Sequence, residues 1–333
     1  MESKMLGGEN TVFYKKLFTL VLPIAFQQFM LAAVSASDAL MLGFVNQDAL
    51  SAVSLAGQVT FVFNLFMGGF TMGTSILAAQ YYGKRDVPSI ERIFAYVTSV
   101  SFLISVVFFL ASLVFPSALM KIFTSEPQLI SDGSIYLRTV SSSYLFTGIS
   151  QIYLCILKNT GGAVKSMVIG SSAVVINIFL NAALIFGLFF FPEMGITGAA
   201  LATSISKLIE ILWAYAESLR ANRVRLHVKY CFAVKRSLVR DYWKYTVPMM
   251  GDYLVWGCGF TMYSVIMGHL GSDAVAANSI ANIVKNLIVS FCTGLANGGG
   301  ILVGNELGMG NLQQAKRYGG LLWRLAVVGG GLS

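Results

Sequence analysis

Between Lys16 and Asp38 the chain carries no charged side chain, and windows of this kind recur at 17–37, 49–83, 93–120, 139–157, 166–192, 253–272 and 286–305. A helix crossing the hydrocarbon core of a bilayer needs ~20 mostly apolar residues, so each window can span. None breaks into the ~10-residue alternating segments of a membrane barrel. Composition agrees: of 333 residues 56% are hydrophobic and 11% charged, against roughly 25% charged in soluble domains. The chain reads as an all-α integral membrane protein. Its first window is too long for a signal peptide and has no small-x-small cleavage site ahead of a soluble domain.

A formal net charge of +8 could suggest a nucleic-acid partner, but the placement of the charges argues otherwise. Lys4, Lys15 and Lys16, then Lys84, Arg85 and Arg92, then Lys158 and Lys165 fall on alternate connections. The basic cluster from Arg220 to Lys244 and the pair Lys316 and Arg317 continue the pattern, while the intervening connections hold only Lys121 and Arg138. Such a bias predicts a multi-pass protein of the plasma membrane with a cytoplasmic N-terminus. The partners expected are the bilayer and a small organic molecule, with no nucleic acid and no second subunit. Cys155, Cys231, Cys258 and Cys292 have no paired spacing, and His227 and His269 lie far apart; no metal site and no cofactor are expected.

The expected helices run 14–42, 49–82, 93–119, 131–158, 163–190, 195–219, 241–269 and 274–307, with a further start near 315. A shift of 225 positions brings Pro23 onto Pro248, Gly43 onto Gly268, and Asp48-Ala49 onto Asp273-Ala274. The same shift pairs Phe66, Gly69, Gly73, Ile76-Leu77 and Gly83 with Phe291, Gly294, Gly298, Ile301-Leu302 and Gly308. Six helices separate the copies, so both enter the membrane in the same sense. That is a parallel repeat, the mark of a two-lobe helical-bundle transporter. Residues 1–219 form a six-helix lobe, 220–240 a basic cytoplasmic linker that lies against anionic headgroups, and 241–333 a partial second lobe. Counterparts of 109–219 would fall beyond Ser333, so the second lobe is expected to be incomplete.

Several stretches carry a resemblance. LPIAFQQ, SDALMLG and GTSILAAQYYGKRD, then LKNTGGAVKSMVIG, NIFLNAALIFG and GITGAALATSISKLIE, resemble the first lobe of the multidrug and toxic compound extrusion (MATE) family. VPMMGDYLVWG and GILVGNELGMGNLQQAKRYG are similar to the start of its second lobe. The resemblance implies a twelve-helix antiporter, not an enzyme, that exports amphipathic and often cationic organic compounds in exchange for H⁺ or Na⁺. This chain is C-terminally truncated relative to that pattern. Two alternatives stand beside it: a flippase of lipid-linked oligosaccharides with a related fold, and a non-functional fragment. The glycine-rich run GLANGGGILVGNELGMG lacks the Gly-Lys-Ser/Thr of a nucleotide loop, and its glycines read as close helix packing.

Asp38 leads the candidate site residues. A carboxylate at membrane depth costs ~2.5–3.5 kcal/mol on insertion scales and normally faces a cavity or a partner. Gln27 precedes it by eleven residues, three turns along one helical face, and Pro23 can kink that helix. The resemblance implies that an acid in the first helix is essential. Asn177 and Asn181 are four apart and share a face. The resemblance implies that this face reads Asn-x-x-x-Asp or Asn-x-x-x-Asn; with Asn181 in the second position a second acidic group is absent, which speaks against a cation site of two carboxylates and favours a proton as coupling ion. Thr203 is similar to a family position that closes the same site. Asp252, the repeat counterpart of Gln27, is a further candidate for a cation or substrate contact. Lys207 and Glu210 read as an intrahelical pair or as residues reaching the interface, and Lys285 has no assigned partner.

Overall fold

The computed structural model describes residues 2–45, 47–188, 191–220, 223–230, 235–269 and 272–332. Cys231 and the linker positions 221–222 and 231–234 lie outside the described residues, as do the side chains of 263–284, which include the repeat positions from Gly268 to Ala281 and the Asp38 counterpart Tyr263. Among the described residues there is no strand. The helices are α1 (Glu2–Val45), α2 (Gln47–Gly83), α3 (Val87–Val114), α4 (Pro116–Lys121), α5 (Pro127–Leu157), α6 (Ala163–Ile185), α7 (Gly195–Ser218), α8 (Arg236–His269), α9 (Ser272–Gly308) and α10 (Leu312–Leu332). Five stretches of the described chain are long and apolar enough to cross a membrane. One of them, Pro127–Ile185, has 59 residues; at 1.5 Å per residue a single helix of that length would be far longer than the ~30 Å hydrocarbon core. It is broken at Lys158–Gly162, where Gly161 has φ +80° and Thr160 has φ −105°, ψ 32°. The stretch therefore supplies two crossings, α5 and α6.

Helix ends differ from the apolar windows wherever local chemistry overrides hydropathy. The third helix begins at Val87 rather than 93, because Asp86 caps it: one carboxylate oxygen accepts from the Ser89 amide at 3.1 Å and the other from its hydroxyl at 2.6 Å. An N-cap of this type satisfies a backbone donor that the helix leaves free. That helix stops at Val114 instead of 119, since Phe115 precedes Pro116 and leaves helical geometry with φ −120°, ψ 39°. Steric clash with a following proline disfavours the helical region, and α4 is the short helix that restarts beyond it. The fifth crossing likewise ends at Ile185, ahead of Gly187 with φ +66°.

Helices α2–α7 and the start of α8 pack around a buried cluster that includes Phe63, Phe70, Phe94, Tyr144, Ile152 and Tyr242. Phe63 and Phe94 meet Tyr144 and Tyr153 edge-on, with ring centroids 5.1 and 4.7 Å apart. Described parts of the linker are fastened to this lobe by charge. Arg223 Nε stands 3.7 Å from Glu217 Oε1, His227 Nε2 stands 3.5 Å from Glu91 Oε1, and the Arg92 guanidinium lies 5.8 Å from the Tyr230 ring centroid. Glu217 is buried and also pairs with Lys165 and Arg220.

The repeat is visible in the helices themselves. Helices α2 and α9 begin and end 225 positions apart, and α10 starts 225 positions after α3. The two copies pack reciprocally, α1 along α9 and α2 along α8. Individual contacts follow the same symmetry. Gly69 faces Met250 while Gly294 faces Ala25; Gly73 faces Thr246 while Gly298 faces Val21; Gly83 meets the Asn305 carbonyl while Gly308 meets that of Gln80. Each pair is the other shifted by 225, so these three pairs of shared glycines line the seam between the lobes. A methyl group at Gly294 would stand 2.6 Å from Ala25 Cβ and 2.8 Å from its Cα, with no flexible atom to yield.

Replacing Gly308 by Val should lower stability by ~1–3 kcal/mol through overpacking. Gly300→Ala on the same helix, with nothing within 4 Å of the new Cβ, should change it by less than ~0.5 kcal/mol. Unfolding of both variants in detergent against the parent measures the contrast; equal effects would dissolve the seam as described.

Candidate functional site: a polar cavity between the lobes and the Asp38 cluster

A cavity of about 460 Å³ opens between the lobes, lined by α1, α2, α5, α6 and α7 on one side and α8 and α9 on the other. Polar side chains make up a substantial part of its wall. Gln27 and Gln28 of α1, Thr60 and Asn64 of α2, Gln151 of α5 and Asn297 of α9 all face it. Gln27 reaches the cavity by passing Gly170 of α6, where a Cβ would stand 3.2 Å from the Gln27 Cδ.

Asp38, Asn181, Asn177 and Thr203 form one hydrogen-bonded chain leading to that wall. Asn181 Nδ2 donates to Asp38 Oδ1 at 2.5 Å and to Asn177 Oδ1 at 3.2 Å. Asn177 Nδ2 in turn donates to Thr203 Oγ1 and to Ser206 Oγ, both at 3.4 Å. Thr203 passes its own proton to the Ala199 carbonyl at 3.0 Å and lines the cavity. The i, i+4 spacing of Asn177 and Asn181 on α6 puts both amides on one face, and both are buried. One donor in the chain points at Asp38, the Asn181 amide, and Asn177 braces that amide by accepting from it. Asp38 forms no ion pair among the described residues. Asn181 Oδ1 is buried without a hydrogen-bond partner, which leaves an acceptor free beside the carboxylate. Buried polar groups rarely stay unpaired, and a surplus of acceptors suits a proton or a small cation.

Of the residues singled out in the sequence, Asp38, Asn177, Asn181 and Thr203 are brought together, and Gln27 shares the cavity with Thr203. Asp252 does not join them: it is exposed, and its neighbour Tyr253 lines the cavity instead. Lys285 sits 5.1 Å over the Phe260 ring. Lys207 and Glu210 do form the expected pair at 2.8 Å. They face the cavity, however, and not the membrane interface. Their spacing from Thr203, four and seven residues, marks one helical face, and that regularity was available in the sequence. Tyr136 and Lys158, which also line the cavity, carry no such mark.

A two-lobed helical membrane protein with a polar cavity at its repeat seam has the architecture of a secondary transporter. The MatE family model matches residues 23–183 and 248–332, and the chain belongs to that family. Among curated relatives it is 24% identical over 297 residues to the uncharacterized transporter YisQ of Bacillus subtilis, covering 88% of this chain and 64% of the relative. It is 26% identical over 306 residues to a probable multidrug resistance protein NorM of Thermotoga maritima, covering 89% and 64%. It thus spans a little under two thirds of these relatives' length. A solved outward-facing multidrug resistance MATE family transporter superposes with a TM-score of 0.84 at 19% identity, over 95% of this chain and 69% of that one. A MOP superfamily transporter from Pyrococcus furiosus, whose binding pocket is described as having reverse polarity suggestive of a different function, gives 0.83 over the same shares, again at 19% identity. These two likenesses establish the fold.

If the amide chain acts as a unit, Asn177→Ala and Asn181→Ala should be non-additive. A double-mutant cycle on unfolding in detergent should return a coupling of ~0.5–3 kcal/mol; simple additivity would mean that the two amides do not share one network.

Proposed function

We propose that this chain belongs to a secondary active antiporter that exports amphipathic organic compounds, often cationic, in exchange for a proton, with Asp38 as the coupling group. One observation carries the reading: a carboxylate in a membrane helix, unpaired by any described cation, accepts from the buried Asn181 amide, which connects through Asn177 to Thr203 on the wall of the inter-lobe cavity. Ionised, it is costly at that depth; neutralised, it is not. Protonation changes what Asn181 can donate to and accept from, because a protonated carboxyl gains a donor that the free Asn181 Oδ1 can accept. That exchange would rearrange Asn177 and Thr203, shift the first helix about Pro23, and drive the organic compound out of the cavity. A single carboxylate with amide oxygens offers few ligands for Na⁺, which favours H⁺ as the coupling ion. The protein is placed in the plasma membrane with its N-terminus in the cytoplasm, acting as a monomer. Relatives named as multidrug resistance proteins support the substrate class.

The flippase alternative needs several cationic side chains to hold a pyrophosphate. Among the described residues the cavity offers Lys158 and Lys207, and Lys207 is already neutralised by Glu210. Export of organic compounds is the better fit.

Expressed in a host lacking its own efflux pumps, the chain should raise drug resistance and extrude a fluorescent substrate on energisation. Asp38→Asn should abolish proton-coupled export, by at least ~100-fold if coupling rests on one ionisable group, while the protein still reaches the membrane. Export that survives Asp38→Asn would sink this mechanism.

A further inference from the structure

The charged side chains lining the cavity, among the described residues, are Lys158, Lys207 and Glu210. Glu210 is 3% exposed, and both of its oxygens are occupied. Oε1 accepts from Ser150 Oγ at 2.7 Å, and Oε2 accepts from Lys207 Nζ at 2.8 Å. The two donors differ in kind. Ser150 is a fully buried neutral hydroxyl of α5. Lys207 keeps 21% of its side chain accessible and carries its charge on a flexible four-carbon stem.

This arrangement solves an electrostatic problem of an empty cavity. A buried carboxylate left without a counter-charge is strongly destabilising, so something cationic must sit on Glu210 when no ligand is present. Exchanging one cation for another leaves the charge of the site unchanged. Lys207, partly accessible on a flexible stem, is the partner that can give way, whereas Glu210 and Ser150 are buried.

We propose that Glu210 is the subsite for the cationic group of the exported compound, and that Lys207 is a tethered stand-in which that group displaces. The ligand that fits is a protonated amine on an apolar or aromatic body: its N–H replaces the Lys207 hydrogen bond to Oε2, and its body meets Leu31, Val34 and Met72, which line the same cavity and are not fully buried. Because Lys207 occupies the site until the ligand arrives, it lowers apparent affinity by the fraction of time the site is blocked. The proposal rests on the export reading above, and it adds the position and chemistry of the recognised group.

Binding of doxorubicin, a fluorescent protonated primary amine, to the purified full chain in lipid nanodiscs tests it by fluorescence anisotropy. Lys207→Met should tighten binding by about tenfold, since it removes the internal competitor. Lys207→Arg should weaken it several-fold, because a guanidinium grips a carboxylate with two parallel hydrogen bonds. Glu210→Gln should weaken binding about tenfold, the loss expected for one charged hydrogen bond. A pair that merely supports the fold would make Arg neutral and Met harmful, and that pattern overturns the proposal, as does unchanged binding in Glu210→Gln. Lys207→Arg keeps the ion pair, so the test holds even if Lys207→Met folds poorly. Wild-type export with Lys207 variants of unchanged affinity sinks this inference alone; a wild type that neither binds nor exports the probe sinks both readings.

Discussion

The close approach of the two lobes is the constraint on which the other features depend. Lipid tails are as apolar as leucine, so packing, and not hydrophobicity, must hold one helix against another in a membrane. Here α1 lies on α9 and α2 on α8, and the contact is made where one side is glycine. The glycines do more than permit contact. They bring the polar faces of α1, α2, α8 and α9 within range of one another and so enclose the cavity between them. Large side chains along this seam would part the lobes, leaving Gln27, Asn64 and Asn297 on open surfaces without a shared space.

Within that frame the polar groups fall into two sets with different electrostatic solutions. Asp38 accepts from one neutral amide, that of Asn181, and no described cation pairs with it. Glu210 is satisfied by a hydroxyl and an ammonium. A carboxylate held by one amide and no counter-charge suits the proton coupling proposed above. A carboxylate held by an ammonium responds to another cation, because exchange preserves the local charge. Asp38 connects through Asn181 and Asn177 to Thr203, and Glu210 lies two turns further along the same helix as Thr203, so the first lobe carries two chemically distinct acidic positions.

Much of this could be read in the sequence. Charge-free windows located the helices, and the positions shared at a shift of 225 located the repeat. The grouping of Asp38 with Asn177, Asn181 and Thr203 came from helical spacing joined to a family likeness. Helix ends were less legible, because Asp86 as a cap and Phe115 before a proline act through backbone geometry that hydropathy does not register. Asp252 failed as a cavity residue for a related reason. Repeat symmetry places it opposite Gln27 in the pattern, but the rotation of α8 turns Tyr253 to the cavity in its place. Lys207 and Glu210 were visible as an i, i+3 pair on the face of Thr203, but the contact of Glu210 with Ser150 was not, since that depends on where α5 lies.

By itself the sequence determined the medium, the all-helical class and the duplicated plan, because these follow from the length, polarity and period of local segments. It also determined that one carboxylate would stand alone in the first helix. Only the tertiary structure decided which glycines meet which partners, that Glu210 rests on Ser150 from a helix 60 positions away in the chain, and that the Asn181 amide of α6 reaches Asp38 across 143 positions. Those facts depend on the rotation and separation of packed helices, which no segment specifies until its neighbours are in place.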